Sequence, residues 1–161
     1  RYHLFAKKFS EKMCSNILTK IFMKPTIIKG SYHSDARGTI CFNNDFHPLG
    51  IKRFYIIENV NEDFTRAWQG HQIEQRWFSA VAGSFKIKLI EIDDWKNPTK
   101  DLPILEFILN SENLDILHVP RGFATSIQSL EDHSKLLLFA DYQLGEIQDE
   151  YRFASNYFNE H

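Results

Sequence analysis

The sequence predicts a small all-β domain, and three observations lead to this fold class. Short runs rich in β-branched and aromatic residues recur along most of the chain. In one of these runs Phe85, Ile87 and Leu89 alternate with Lys86 and Lys88, as expected for a strand with one buried and one solvated face. Asn, Pro and Gly separate the runs. Short strands with regular turns and no long helical pattern indicate a sandwich or barrel.

The runs predict the positions of the strands. We expect strands at residues 37–42, 51–58, 76–83, 84–92, 103–109, 114–120, 123–130 and 135–142. The stretch 149–158 predicts a short helix that closes one end. A double-sheet jelly roll manages sheet edges well at this size, so we expect that architecture in a single domain.

Composition narrows the class of protein. The chain has 161 residues, of which 43% are hydrophobic and 14% aromatic, which is typical of one folded domain. A net charge of -2 gives no reason to expect a nucleic-acid partner. Cys14 and Cys41 form no CxxC pair, so we expect a reducing, cytoplasmic location without disulfides. No apolar run approaches the ~20 residues that a membrane span needs.

Residues 1–22 differ from the rest because they are rich in lysine and arginine and hold a single acidic residue, Glu11. This change in composition predicts an N-terminal extension that is dispensable for folding, followed by a domain at 23–161. The alternative is a short amphipathic helix, because apolar residues recur there at near-helical spacing.

The segment "RAWQGHQIEQRWF", residues 66–78, mixes arginine, glutamine, histidine and glutamate with two tryptophans. Polar groups buried without partners cost about 1–3 kcal/mol each, so such a mixture predicts a cavity lined by aromatic and polar groups. The alternative is an exposed loop with a solvated strand face.

Several segments in order resemble a known family. "RGTICF", "IKRFYIIENV", "RAWQGHQIEQ" and "AGSFKIKL" are similar to segments of the sugar 3,4-ketoisomerases that act on dTDP-4-keto-6-deoxyglucose. "VPRGFATSIQSLED" and the following "ADY" resemble the related dTDP-4-dehydrorhamnose 3,5-epimerases. The resemblance covers roughly residues 35–153. It implies a cupin fold (a double-stranded β-helix), a nucleotide-sugar substrate that is dTDP-linked, and a homodimer.

The departures from these families affect the mechanism. Both families have histidine where this chain has Gln69, and the ketoisomerases have a second histidine that this chain keeps as His71. The epimerase tyrosine falls near Leu137, and Thr125 replaces a later histidine. One base on one face of the sugar suits isomerisation, whereas double epimerisation needs an acid on the opposite face.

The resemblance therefore favours a 3,4-ketoisomerase in which His71 transfers the proton and Tyr55 hydrogen-bonds the developing oxyanion. Two alternatives stay open: a non-catalytic cupin that binds a nucleotide sugar, and an epimerase acting at carbon 3 or 5. For Tyr55 and His71, purely structural roles also stay open.

Arginine suits a diphosphate because it binds in a bidentate manner. The resemblance places Arg66 at the diphosphate. The other candidate substrate-binding residues are Arg37, Arg53, Gln69, Gln75, Arg76, Arg121 and Tyr142. Trp68 is either a stacking partner for the substrate or a core residue.

We expect neither a metal nor another cofactor. His71 and Glu74 provide too few ligands for a stable transition-metal site. The remaining histidines are interpreted as surface or turn residues: His3, His33, His47, His118, His133 and His161.

Overall fold

The computed structural model describes residues 24–159 and confirms the predicted all-β class. Over that range it contains twelve strands and no helix, so no helix in this part of the chain could cross a membrane. The strands are β1 (Thr26–Ile28), β2 (Ser31–Asp35), β3 (Gly38–Phe42), β4 (Arg53–Ile57), β5 (Thr65–His71), β6 (Arg76–Ala82), β7 (Ser84–Glu91), β8 (Ile104–Asn110), β9 (Ile116–Val119), β10 (Phe123–Ser129), β11 (Lys135–Ala140) and β12 (Tyr151–Arg152).

Two five-stranded antiparallel sheets face each other, in the strand orders β1-β9-β6-β11-β4 and β12-β5-β10-β7-β8. We call them the first and the second sheet. The strands β2 and β3 form a separate hairpin that belongs to neither. The order follows no simple up-and-down sequence, because neighbouring strands such as β5 and β10 are distant along the chain. This is the expected jelly roll.

The core between the sheets follows from alternation along the strands. Phe85, Ile87 and Leu89 on β7 are fully buried, and so are Leu136 and Leu138 on β11. Their inward faces form one continuous apolar cluster. Burial of apolar surface contributes about 25 cal/mol per Å² and is the main force that holds the two sheets together.

The predicted helix at 149–158 is wrong. The backbone of Phe153 exchanges hydrogen bonds with Trp68, at 3.0 and 3.1 Å, so the segment continues the pairing of β12 with β5. Its aromatic residues then turn onto the outer face of the second sheet, where Phe158 packs edge-to-face on Trp68 with ring centroids 5.5 Å apart. Tertiary pairing and aromatic burial outweigh the local helical preference.

Each predicted strand corresponds to an observed one, but β1, β2, β5 and β12 are absent from the prediction. The strand β5 is missed because its polar residues hide the alternation. The predicted extension, residues 1–22, lies outside the described residues, and the domain boundary at residue 23 stays a prediction.

The C-terminal aromatic segment should act as an integral layer of the fold. Phe158 is buried against Trp68, so Phe158→Ala should cost about 3–5 kcal/mol in the free energy of unfolding. This corresponds to a fall in Tm of at least about 6 °C, measurable by calorimetry. Leu130→Ala, at a half-exposed apolar position outside both clusters, is the control. Equal Tm values for Phe158→Ala and the unmodified chain would contradict this role.

Candidate active site

A cavity of 690 Å³ opens between the two sheets, where β4, β5 and β6 face the segment that follows β11. We call this segment, residues 143–150, the strap, and the space the His71 cavity. Its lining residues are Arg53, Tyr55, Gln69, His71, Glu74, Arg76 and Tyr151 and, from the strap, Gln143, Leu144, Gly145, Ile147, Gln148, Asp149 and Glu150.

Strand alternation directs the key side chains into this cavity. On β4, Arg53 and Tyr55 face inward whereas Phe54 lies outward and exposed. On β5, Gln69 and His71 line the cavity. Gly70, between them, faces the outer layer, where a Cβ atom would lie 2.6 Å from the Trp95 ring. Four polar residues of segment 66–78 thus line this cavity: Gln69, His71, Glu74 and Arg76.

His71 is buried in the wall of the cavity, with 7% of its surface exposed. Its two ring nitrogens are buried and have no hydrogen-bond partner among the described residues. The Nδ1 atom lies 3.8 Å from carboxylate oxygens of Glu74 and Asp149. A buried polar group without partners is costly in a core, so this imidazole is suited to meet a ligand.

Burial lowers the pKa of His71 from its ordinary value of 6.5 to about 3, and the positive charge of Arg76 acts in the same direction. The negative charge of Asp149 raises the pKa of His71, but by less than burial lowers it. The imidazole is therefore neutral at pH 7 and carries a free lone pair.

The two carboxylates beside His71 are already engaged. Glu74 accepts hydrogen bonds from Arg76 Nε at 2.7 Å and from Arg53 Nη2 at 3.1 Å. Asp149 accepts three backbone N–H bonds at 2.7–2.9 Å, from Gln72, Ile73 and Glu74. These contacts hold both carboxylates in place beside His71.

A second cavity of 800 Å³, which we call the Arg66 cavity, adjoins the first. Tyr55, Gln69 and Arg76 line both spaces, and Arg66 lines the second. The Arg66 Nε atom donates to Asn59 Oδ1 at 3.1 Å, and the guanidinium lies over the Phe64 ring, 5.8 Å from its centroid. The wall of the Arg66 cavity thus combines an arginine with an aromatic side chain.

The structure brings together His71, Tyr55, Arg53, Gln69 and Arg76, and places Arg66 next to them. Arg76 is buried and lines both cavities.

Four other candidate residues line neither cavity. Arg37 lies on the β2–β3 hairpin and is paired with Asp35. Arg121 lies exposed in the turn before β10, and Tyr142 lies beneath Lys52. Gln75 hydrogen-bonds Asp141 and His118.

His118 corrects the prediction of a surface histidine. It lies on β9, half-buried, and its ring stacks on Trp77 at a centroid distance of 5.1 Å. Its Nε2 atom lies 2.9 Å from Gln75 Oε1, and desolvation lowers its pKa. Both neighbours come from another strand or turn, so local sequence gave no sign of this burial.

The departures from the resembled families also have places in the structure. Leu137 faces outward on β11, and its inward neighbours, Leu136 and Leu138, belong to the apolar core. Thr125 is buried, and its hydroxyl donates to the Gln69 carbonyl at 3.2 Å. Trp68 packs on Phe158 in the outer layer, which favours the core interpretation.

Sequence reasoning missed the strap, including Asp149 and Glu150, because those residues were assigned to a helix. No local pattern distinguishes them from solvated acids.

Within residues 24–159, no group of three or more His, Cys, Asp or Glu side chains is placed to hold a metal ion.

The comparison with family models decides the family. The model of the family described as "FdtA: WxcM-like, C-terminal" matches residues 23–160. The chain belongs to this family. Curated proteins contain no match to the sequence.

The solved structures to which this chain is similar include sugar 3,4-ketoisomerases and an epimerase. A histidine-to-asparagine variant of the 3,4-ketoisomerase QdtA from Thermoanaerobacterium thermosaccharolyticum, in complex with TDP-4-keto-6-deoxyglucose, is 25% identical. The alignment covers 80% of this chain and 87% of QdtA, with a TM-score of 0.62.

Two further structures share the fold. The TDP-quinovose 3,4-ketoisomerase WlaRB of Campylobacter jejuni is 23% identical; the alignment covers 81% of this chain and 93% of WlaRB, with a TM-score of 0.59. The rmlC epimerase of Mycobacterium tuberculosis is 18% identical; the alignment covers 80% of this chain and 68% of the epimerase, with a TM-score of 0.65. The predicted resemblance and the cupin jelly roll of the rmlC type are confirmed.

The low pKa of His71 predicts how stability depends on pH. In the unfolded chain His71 takes up a proton near pH 6.5, but in the folded protein only near pH 3. The free energy of unfolding is therefore independent of His71 protonation above pH 6.5. As the pH drops from 6.5 towards 3, the unfolded chain takes up a proton that the folded protein does not, and the free energy of unfolding falls by up to about 1.4 kcal/mol per pH unit.

His71→Asn should remove this contribution and flatten the acid side of the stability curve. Urea unfolding at pH 7, 6, 5 and 4 measures the difference between the two proteins. Exposed His33 supplies a control, His33→Asn, which should leave the curve unchanged. Parallel curves for His71→Asn and the unmodified chain would show that His71 takes up its proton at the same pH in the folded and the unfolded protein.

Proposed function

We propose that this chain isomerises a nucleotide-linked 4-keto-6-deoxy sugar by moving the ketone from carbon 4 to carbon 3. The observation that carries the proposal is His71, a neutral, enclosed imidazole with free ring nitrogens in a cavity large enough for a hexose. The match to QdtA, which was crystallised with TDP-4-keto-6-deoxyglucose, supports the substrate class.

His71 would act as the single base. Its Nδ1 atom faces Glu74 and Asp149, so Nε2 is the atom that takes the proton from carbon 3. The C–H electrons form the carbon 3–carbon 4 double bond, and the oxygen on carbon 4 becomes an enediolate oxyanion. The imidazolium then returns its proton to carbon 4. The proton of the hydroxyl on carbon 3 passes to the oxyanion on carbon 4, which leaves a ketone at carbon 3 and a hydroxyl at carbon 4.

Charges around His71 support the intermediate. The imidazolium formed in the first step lies 3.8 Å from two carboxylates, which stabilise it. Tyr55 lines the cavity beside Arg53, whose guanidinium lies 5.2 Å from the Tyr55 ring centroid. The Tyr55 hydroxyl is the group we assign to the oxyanion.

The Arg66 cavity would hold the nucleoside diphosphate. Arg66 and Arg152 supply positive charge there, and Phe64 and Phe153 supply aromatic surface. Arg76, at the boundary of both cavities, lies where the diphosphate would join the sugar. The structure of QdtA in complex with TDP supports a thymidine nucleotide.

Two other functions have weaker support. A binding module is favoured by Gln69 and Thr125, where the related enzymes have histidines. An epimerase acting at carbon 3 or 5 is disfavoured because the inward side chains of β11, Leu136 and Leu138, cannot donate a proton.

Incubation with dTDP-4-keto-6-deoxyglucose in deuterated water tests the proposal. We expect a new ketone at carbon 3, with deuterium at carbon 4 of the product and at carbon 3 of recovered substrate. A 4-keto product with deuterium and inverted configuration at carbon 3 or 5, formed without any 3-keto product, would identify an epimerase instead. Binding without label would identify a binding module.

His71→Asn should lower kcat by about 10²–10⁴-fold and leave substrate affinity nearly unchanged, because the arginines carry most of the binding. Arg66→Ala should weaken binding more than it slows the bound complex. Both variants are assayed for turnover and for affinity by calorimetry. A folded His71→Asn protein with undiminished kcat would overturn the catalytic assignment.

We also propose a homodimer formed through the outer face of the first sheet. There Phe54 and Ile56 are 70% and 56% exposed, on the edge strand β4. The β2–β3 hairpin exposes Tyr32 and Ile40, and an isolated two-stranded hairpin is only marginally stable. A second copy would cover both features.

Sedimentation at micromolar concentration should show a dimer for the unmodified chain and a monomer for Phe54→Lys. Val60→Lys, at an exposed apolar site in the turn after β4, should stay dimeric. A monomeric unmodified chain would contradict the proposal, and a dimeric Phe54→Lys protein would exclude this face.

A further inference from the structure

Gln69 occupies the position at which the resembled enzymes carry a histidine, and its side-chain amide has one hydrogen-bond partner among the described residues. Its Nε2 atom donates to Glu150 Oε1 at 2.9 Å. Across residues 24–159, its Oε1 atom has no hydrogen-bond donor. Gln69 lines both cavities, so this free acceptor lies at the boundary where a sugar would meet its diphosphate.

Glu150 fixes which end of the amide is free. A carboxylate accepts hydrogen bonds only, so the end of the Gln69 amide next to Glu150 must be the NH2 group. Arg152 also donates to Glu150, and this contact lowers the pKa of Glu150. Glu150 therefore stays ionised at neutral pH and cannot itself donate a proton or reverse the amide.

Two further contacts hold Gln69 in place. Its backbone carbonyl accepts from the buried Thr125 hydroxyl at 3.2 Å, and its Cα is paired with Arg152 in the β5–β12 register. The position thus offers a carbonyl oxygen in a set direction. Histidine at the same position would offer either a donor or an acceptor, depending on its tautomer.

We infer that Gln69 is a specificity residue that accepts a hydrogen bond from a hydroxyl of the bound sugar, and that Glu150 is a positioning residue that keeps the amide oxygen turned towards the substrate. This rests on the proposed function. A site built around a fixed acceptor favours a hydroxyl and disfavours a carbonyl or carboxylate at that point, because two acceptors would face each other.

Calorimetric binding tests the inference without requiring turnover. The ligands are dTDP, which lacks the sugar, and dTDP-glucose. Gln69→Leu should lower the affinity for dTDP-glucose by about 3–10-fold and leave the affinity for dTDP unchanged within 2-fold, as expected for one lost hydrogen bond. If Gln69→Leu lowers both affinities equally, or lowers neither, the role of Gln69 is overturned.

Monodeoxy and monofluoro analogues of dTDP-glucose identify the hydroxyl. One analogue should bind more weakly to the unmodified chain, and Gln69→Leu should add no further loss with that analogue. If Gln69→Leu weakens every analogue to the same extent, no hydroxyl donates to Gln69 and the inference fails.

Glu150→Gln tests the positioning role, because an amide at 150 can pair with either end of Gln69. Glu150→Gln should lower the affinity for dTDP-glucose in the otherwise unmodified chain and have no effect on it in the Gln69→Leu variant. Glu146→Gln is the matched control, because Glu146 is an exposed strap carboxylate that contacts Lys52 and not Gln69. An equal effect of Glu150→Gln in both backgrounds would exclude positioning through Gln69.

The same titrations separate this inference from the proposed function. If the unmodified chain binds neither dTDP nor dTDP-glucose, the nucleotide-sugar function fails and the inference fails with it. If it binds both and Gln69→Leu changes neither, only the inference fails.

Discussion

The buried carboxylate of Asp149 is the contact on which the architecture of the site depends. It accepts backbone N–H bonds from Gln72, Ile73 and Glu74, the turn that directly follows His71. That turn joins β5 to β6 and so connects the two sheets. Without Asp149 three backbone donors would lose their partner, each at a cost of about 1–3 kcal/mol. The same residue anchors the strap, so one interaction shapes both the turn and the wall of the cavity.

Charge balance in the His71 cavity follows from this arrangement. Glu74 pairs with both Arg53 and Arg76, and Asp149 supplies a second negative charge beside the imidazole, so two carboxylates balance two arginines. His71 can then be buried in its neutral form. A buried charge without a partner would be far more costly than this neutral ring. The resting site is therefore nearly uncharged around a base, and it becomes polarised only when the base takes up a proton.

The two sheets differ in how their outer faces are covered. The C-terminal segment places Phe153, Tyr157 and Phe158 on the outside of the second sheet, next to β5. On the outer face of the first sheet, Phe139 contacts Phe46 and Phe54 at centroid distances of 5.4 and 6.2 Å, but Phe54 and Ile56 stay largely exposed. One layer thus stabilises the strand that carries Gln69 and His71, while the other face is available for association.

The sequence by itself determined the features that depend on local pattern. Alternation in β7 required one buried face, because successive side chains point to opposite sides of a strand. Several motifs in order predicted the family, which the family model confirms. Only the tertiary structure decided which polar residues meet. Asp149 lies 77 positions after Gln72, and His118 lies 43 after Gln75, so no local period relates them. Likewise, Gln75 and Arg76 are adjacent in sequence, yet β-strand alternation directs Gln75 to Asp141 and Arg76 into the cavity. Long-range strand pairing determines these contacts. A single sequence shows strand periodicity, but it does not show the strand order that brings distant residues together.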